Sequence, residues 1–189
     1  MVLNRRLPLD ILRSKLNKEC EVISEGDDRY QESRKQFAWW SNTEKEAEDK
    51  FKPSLICIPI VESDVVEIVK FAGEHGYRIV ARSGGHQYSG LSSSSATDES
   101  DKVIQIDLRN FNDLHIEGSE EDVVTEKYRK VTVGAGVRLR EIYQVLHQYN
   151  LVICGGACRK LAETFGADSF SWRTTLCLPL VLFLFSFLL

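Results

Sequence analysis

Apolar positions recur along this chain at two periods, and the switch between them marks its elements. Leu9, Leu12 and Leu16 fall on one helical face, as do Tyr30, Arg34, Phe37 and Trp40, within a charge-rich stretch over residues 10–50. Trp39 and Trp40 read as packing onto the domain that follows. From Pro53 strands and helices alternate. The apolar run Leu55-Ile56-Cys57-Ile58, closed by Pro59, reads as a buried strand. Asp64 stands three residues before Glu67, a helix-start signal, and Val65, Ile68, Val69 and Ala72 are expected to line the buried face. Gly76 supplies a left-handed cap, and Arg78 to Ala81 forms the next strand. A strand–helix–strand order predicts a parallel pair with a right-handed crossover.

After a glycine-rich loop, residues 91–101 are polar and too poor in apolar groups to pack, so they read as a loop. Strands are predicted at 103–108, 113–116 and 130–133. Gly134-Ala135-Gly136 then turns the chain into a helix with Leu139, Ile142, Tyr143 and Leu146 inward. That helix ends near Asn150, and Leu151 to Cys154 resumes a strand. Leu176 to Leu189 carries no charge and looks foreign to what precedes it.

With 189 residues the chain can hold a real core, and one domain is the prior. A net charge of −4 leaves no basic footprint, which argues against nucleic acid as a partner. Five cysteines are too scattered for a disulfide framework. Cys154 and Cys158 lack a downstream His or Cys pair, so no metal site is expected. His75, His115 and His147 have no partner cluster and read as solvated side chains. The first ten residues contain no apolar run of a secretory signal, making the cytosol the default location.

The chemistry concentrates in Arg82-Ser83-Gly84-Gly85-His86-Gln87-Tyr88-Ser89-Gly90, directly after a strand. Three glycines and two serines in nine residues leave the backbone open, so its N–H groups can approach an anion. An imidazole sits in the middle. Glycine pairs between a strand and a polar loop also serve as plain tight turns, and composition leaves the two readings level. Gly134-Ala135-Gly136 lacks the third glycine of a dinucleotide fingerprint, since Leu139 stands there, which disfavours a nicotinamide fold.

From about Asp27 to Cys158 the chain resembles the flavin-binding domain of the berberine-bridge-enzyme-like oxidases, in the vanillyl-alcohol-oxidase superfamily. The resemblance rests on Tyr30 and Arg34, Pro53 to Pro59, Asp64 to Ala72, Arg78 to Gly90, Ile106-Asp107-Leu108, Val131 to Gly136 and Gly155-Gly156-Ala157-Cys158. It implies an α+β fold: the first lobe of a PCMH-type FAD-binding domain, a small parallel or mixed sheet flanked by helices. In that division residues 1–50 are a helical extension, 51–158 a partial FAD-binding domain and 159–189 a divergent apolar tail. The implied cofactor is FAD, its diphosphate gripped by residues 82–90, with Gly134 and Gly136 bringing backbone near. His86 takes the position of the histidine that tethers the flavin covalently, and Cys158 that of a second tether. Cys158 reads equally as a small buried hydrophobe.

Such enzymes take a hydride from an alcohol, sugar or alkaloid carbon and pass electrons to oxygen, the flavin carrying the redox step. The family pattern breaks after Cys158, where Arg159-Lys160-Leu161 replaces a proline and a glycine-rich run. The substrate domain and its catalytic base are not in the sequence, so a truncated form with little or no turnover is expected. The alternative is a membrane-attached, non-catalytic protein that keeps the flavin lobe as a scaffold. Residues 174–189 leave membrane attachment open, yet fourteen apolar residues make a helix of only ~21 Å against a ~30 Å hydrocarbon layer. The favoured expectation is therefore an artefactual, exposed apolar end.

Overall fold

The computed structural model describes residues 6–36, 51–85, 92–93, 102–117, 129–153 and 175–179. The chain divides into two compact units, Met1–Asn110 and Phe111–Leu189.

In the first unit, α1 (Arg6–Lys15) opens the chain, with Pro8 tolerated in its first turn and Leu12 and Leu16 turned inward. β1 (Glu21–Ser24) follows, a strand inside the stretch expected to be helical. Its Val22 and Ile23 are both buried. The expected second helix is a single short turn among the described residues, α2 (Tyr30–Arg34), which buries Tyr30 and Arg34. Phe37, Trp39 and Trp40 lie outside the described residues.

β2 (Leu55–Ile58) is buried throughout, as its unbroken apolar run required. α3 (Glu62–His75) begins two residues earlier than the sequence suggested. Asp64 is its third residue, and the carboxylate accepts from the backbone N–H groups of Ile60 and Val61 at 3.0 and 3.2 Å. The buried face is also rotated: Ile68, Phe71 and Ala72 face inward while Val69 is exposed. Gly76 ends the helix at φ 69°, as expected, and Tyr77 N–H reaches back to Ala72 O at 2.9 Å.

β3 (Arg78–Arg82) and β4 (Val103–Asp107) complete a mixed sheet in the order β1-β2-β4-β3. β1 runs antiparallel to β2, whereas β2 and β3 each run parallel to β4. The expected direct pairing of β2 with β3 is thus corrected: they are parallel, but β4 lies between them. β4 is fully buried, which suits the central position, while β3 forms an exposed edge.

The second unit contains β5 (Leu114–Ile116), β6 (Arg129–Val133), α4 (Leu139–Gln148), β7 (Leu151–Val152) and β8 (Thr175–Pro179), its sheet ordered β5-β6-β8-β7 and antiparallel throughout. Leu139, Ile142 and Leu146 of α4 pack with Val131, Val137, Leu151 and Ile153, and Tyr143 sits at the margin. Asn150, at φ 53°, makes the left-handed turn from α4 into β7, a conformation asparagine tolerates. β8 revises the reading of the C-terminal stretch as a free apolar tail. Residues 175–179 pair with β6 on one side and β7 on the other, so their backbone groups close two otherwise open strand edges. No helix among the described residues is long and apolar enough to cross a membrane.

Candidate functional site

The site forms where β3 and β4 end side by side in the first unit. Arg82 and Asp107 are register partners across this parallel pair, so both project from the same face of the sheet. The Arg82 guanidinium donates to Asp107 Oδ2 through Nε at 3.0 Å and through Nη2. Arg109 reaches the same carboxylate, with Nη2 on Oδ2 at 2.6 Å and its backbone N–H on Oδ1 at 3.1 Å. Burial alone would raise the Asp107 pKa. The hydrogen bond from Arg109 and the two guanidinium charges outweigh it and hold the carboxyl below its ordinary value. Burial lowers the Arg82 pKa and Asp107 opposes that change, while the Asp107 hydrogen bond raises that of Arg109. Two cations share one anion, so the cluster carries one net positive charge beside the glycine turn.

Arg82 is therefore not aimed outward. Its third contact, Nη1 to Lys35 O at 3.1 Å, binds the strand end to the segment after α2, and Leu108 N–H donates to Arg82 O at 2.8 Å. Both strand ends are locked immediately before Ser83-Gly84-Gly85. Gly85 is buried with φ 68°, a left-handed backbone angle that favours glycine. His86, Gln87, Tyr88, Ser89, Gly90 and Cys158 lie outside the described residues.

A second polar group lies on the same face. Gln105 sits between Val103 and Asp107 in alternation and is fully buried in the middle of β4. Its Oε1 accepts from Gln36 Nε2 at 3.3 Å, and Gln36 Oε1 accepts from Ser92 Oγ at 3.1 Å. Among the described residues, Gln105 Nε2 and Ser93 Oγ are buried without a partner. Sequence reasoning passed over Gln36, Gln105, Ser92, Ser93 and Arg109. A glutamine interrupting Val103-Ile104-Gln105-Ile106 was the available signal, since a polar residue inside a buried strand needs a reason.

Gly134 and Gly136 belong to the second unit. Their N–H groups donate to Asp113 O at 2.7 Å and Phe111 O at 2.8 Å, so neither is a free amide for an anion. A Cβ on Gly134 would stand 2.2 Å from Phe111 O, so this glycine is required for backbone packing. His115 and His147 are exposed, as expected. Among the described residues no cluster of His, Cys, Asp or Glu could hold a metal ion.

A tight glycine turn at the carboxyl ends of parallel strands, beside an excess positive charge and two unpartnered buried polar atoms, fits a phosphate-bearing cofactor. Comparison with known proteins agrees: the FAD binding domain family matches residues 53–162. The chain belongs to this FAD binding domain family. An FAD-linked oxidoreductase of Aspergillus niger, pynB, is 30% identical over 110 residues, which cover 58% of this chain and 18% of that protein. Berberine bridge enzyme-like 18 of Arabidopsis thaliana is 33% identical over 114 residues, covering 59% and 19%. The solved structure of BBE-like 1 from Physcomitrella patens covers 80% of this chain and 28% of its own at 23% identity, with a TM-score of 0.58. That likeness establishes the fold: a mixed sheet flanked by helices, as in the flavin lobe of these proteins. The matched segments span under a fifth of the length of both curated relatives.

Proposed function

We propose that this FAD binding domain serves a berberine-bridge-enzyme-like oxidoreductase and takes the FAD diphosphate at the turn that opens with Ser83-Gly84-Gly85. One observation carries the reading: Gly85 at φ 68°, on a strand end fixed by the Arg82–Asp107 pair. The Ser83 to Gly90 backbone supplies the amide donors, and Arg109 supplies the charge that balances the phosphates. Arg82 acts from below, holding the turn rather than touching the cofactor. Covalent attachment is assigned to His86, with Cys158 as the second attachment point.

When bound, FAD supplies hydride acceptance, and the protein supplies binding, orientation and exclusion of water. For the whole protein the substrate is proposed to be an alcohol, sugar or alkaloid carbon, with oxygen as electron acceptor.

The test is to mix the purified 189-residue chain with FAD, remove free cofactor and record the flavin absorbance. Yellow protein whose colour survives acid precipitation is the expected result, and His86→Ala should release the colour in acid while retaining reversible binding. Colourless protein at FAD concentrations in the millimolar range would overturn the assignment.

A further inference from the structure

We propose that Gln36 and Gln105 are positioning residues that, with the Lys35 carbonyl, clamp the two ends of the glycine segment. The inference rests on the FAD reading for its purpose, but its geometry stands apart from any cofactor. Arg82 enters that segment and Ser92 leaves it, ten positions apart. Both ends are fastened to adjacent residues of a distant part of the chain. Arg82 Nη1 donates to Lys35 O at 3.1 Å, and Ser92 Oγ donates to Gln36 Oε1 at 3.1 Å. Gln36 is in turn held by the sheet, since its Nε2 donates to Gln105 Oε1 at 3.3 Å in the central strand. The separation between entry and exit is thus set by one dipeptide. Backbone amides bind an anion well only when held at a fixed spacing.

Stability does not account for the arrangement. Gln36 is 5% exposed and Gln105 fully buried, and among the described residues Gln105 Nε2 and Ser93 Oγ have no partner. Unpaired buried polar atoms are costly, and a leucine pair of similar volume would avoid that cost. Their retention at the base of the glycine segment is explained by position: the amide relay sets where the segment starts and stops. Gln36→Leu removes all three of its side-chain links, to Ser92, Gln105 and Arg34 O, at nearly constant volume, and Gln105→Leu removes only the link to the sheet.

The deciding measurement is amide hydrogen exchange on the full chain without cofactor, followed by FAD titration. Exchange in peptides covering residues 82–93 should rise about tenfold in Gln36→Leu and less in Gln105→Leu, while peptides covering 21–24 and 55–58 stay unchanged. Affinity for FAD should fall about tenfold in parallel, with a changed visible circular dichroism band of the bound flavin. Unchanged exchange at 82–93, or an equal rise in β1 and β2, would overturn the clamp. If the unaltered chain binds no FAD, the flavin assignment fails, and the exchange data still decide the clamp. Should Gln36→Leu not fold, Gln105→Leu carries the same two readouts.

Discussion

Arg82 and Asp107 are register partners on neighbouring parallel strands, and their side chains meet as a hydrogen-bonded ion pair that is 6% and 1% exposed. At that burial the pair differs from the surface ion pairs of this chain, such as Lys35–Glu32, whose side chains are mostly solvated. Removing one partner leaves the other charged and dry. Asp107→Ala should therefore destabilise the first unit by about 3–5 kcal/mol, and Arg82→Lys should not restore it, because an ammonium cannot reproduce the Nε and Nη2 contacts. Urea unfolding checks this, and a change below about 1 kcal/mol would mean that water reaches the pair.

The same carboxylate sets an acid limit. Its pKa is lower in the folded chain than its ordinary value, so its stabilisation is present at pH values above the unfolded carboxylate pKa of about 3.9. It is lost as pH falls from there through the folded value. Thermal midpoints measured from pH 6 to pH 2 should show a loss below about pH 4 that is smaller in Asp107→Asn. A loss centred near pH 6 in the unaltered chain would point to another group.

Three glycines should respond to alanine in three ways. Gly134 has no room: an added Cβ meets Phe111 O at 2.2 Å and Phe111 C at 2.7 Å, both main chain, so Gly134→Ala should cost the second unit about 1–3 kcal/mol or more. Gly76 has space but the wrong backbone angle, φ 69°, and Gly76→Ala should cost about 1 kcal/mol. Gly73 lies within α3 in open space at a helical angle, so Gly73→Ala should stabilise by about 0.5–1 kcal/mol. Chemical denaturation of the three variants gives the order directly, and a destabilising Gly73→Ala would mean that α3 is covered on that side.

Where local chemistry decides structure, the sequence was readable. The Leu55–Ile58 run, the Gly76 cap and the inward residues of α4 each follow from patterns within a few positions. What escaped depended on distant partners. β1 is a strand because Val22 and Ile23 pair with Cys57 and Ile56, more than thirty positions away. The position of β4 between β2 and β3 is a choice of neighbours that no periodicity records. At the site, the glycine loop stood out by composition, whereas its supports, Gln36, Gln105 and Arg109, are ordinary residues until the fold assembles them. The extent of α3 was missed because Asp64 looked like a cap and is instead a buried acceptor inside the first turn.

That carboxylate supports a further prediction. Asp64 accepts Ile60 and Val61 N–H on one oxygen and Asn17 N–H, at 2.7 Å, on the other, tying the turn after α1 to the start of α3. It is 2% exposed, so Asp64→Ala strands three backbone donors and should cost about 2–4 kcal/mol. Asp64→Ser, which keeps one short acceptor, should recover only part of that. Equal stability of Asp64→Ala and the unaltered chain in urea would show that water replaces the carboxylate.

Alkaline conditions should open the first unit from a different side. Burial, aided by the Asp64 and Glu21 carboxylates, pushes the Cys20 thiol from an ordinary value of 9.0 up to about 12, and burial pushes the deeper Cys57 thiol higher still. Tyr30, buried and donating its hydroxyl to Pro53 O at 2.8 Å, is likewise raised to about 12. Each group holds its proton more tightly when folded than when unfolded. Their contribution is therefore complete below about pH 9 and is lost as pH rises toward 12. The thermal midpoint should be flat from pH 7 to pH 8.5 and then decline, less steeply in Cys20→Ala. Native alkylation at pH 8, mapped by peptide, should leave Cys57 unmodified long after an unfolded thiol has reacted, since the thiolate is the reactive form. Rapid labelling of Cys57 in the folded chain would show that solvent reaches its thiol.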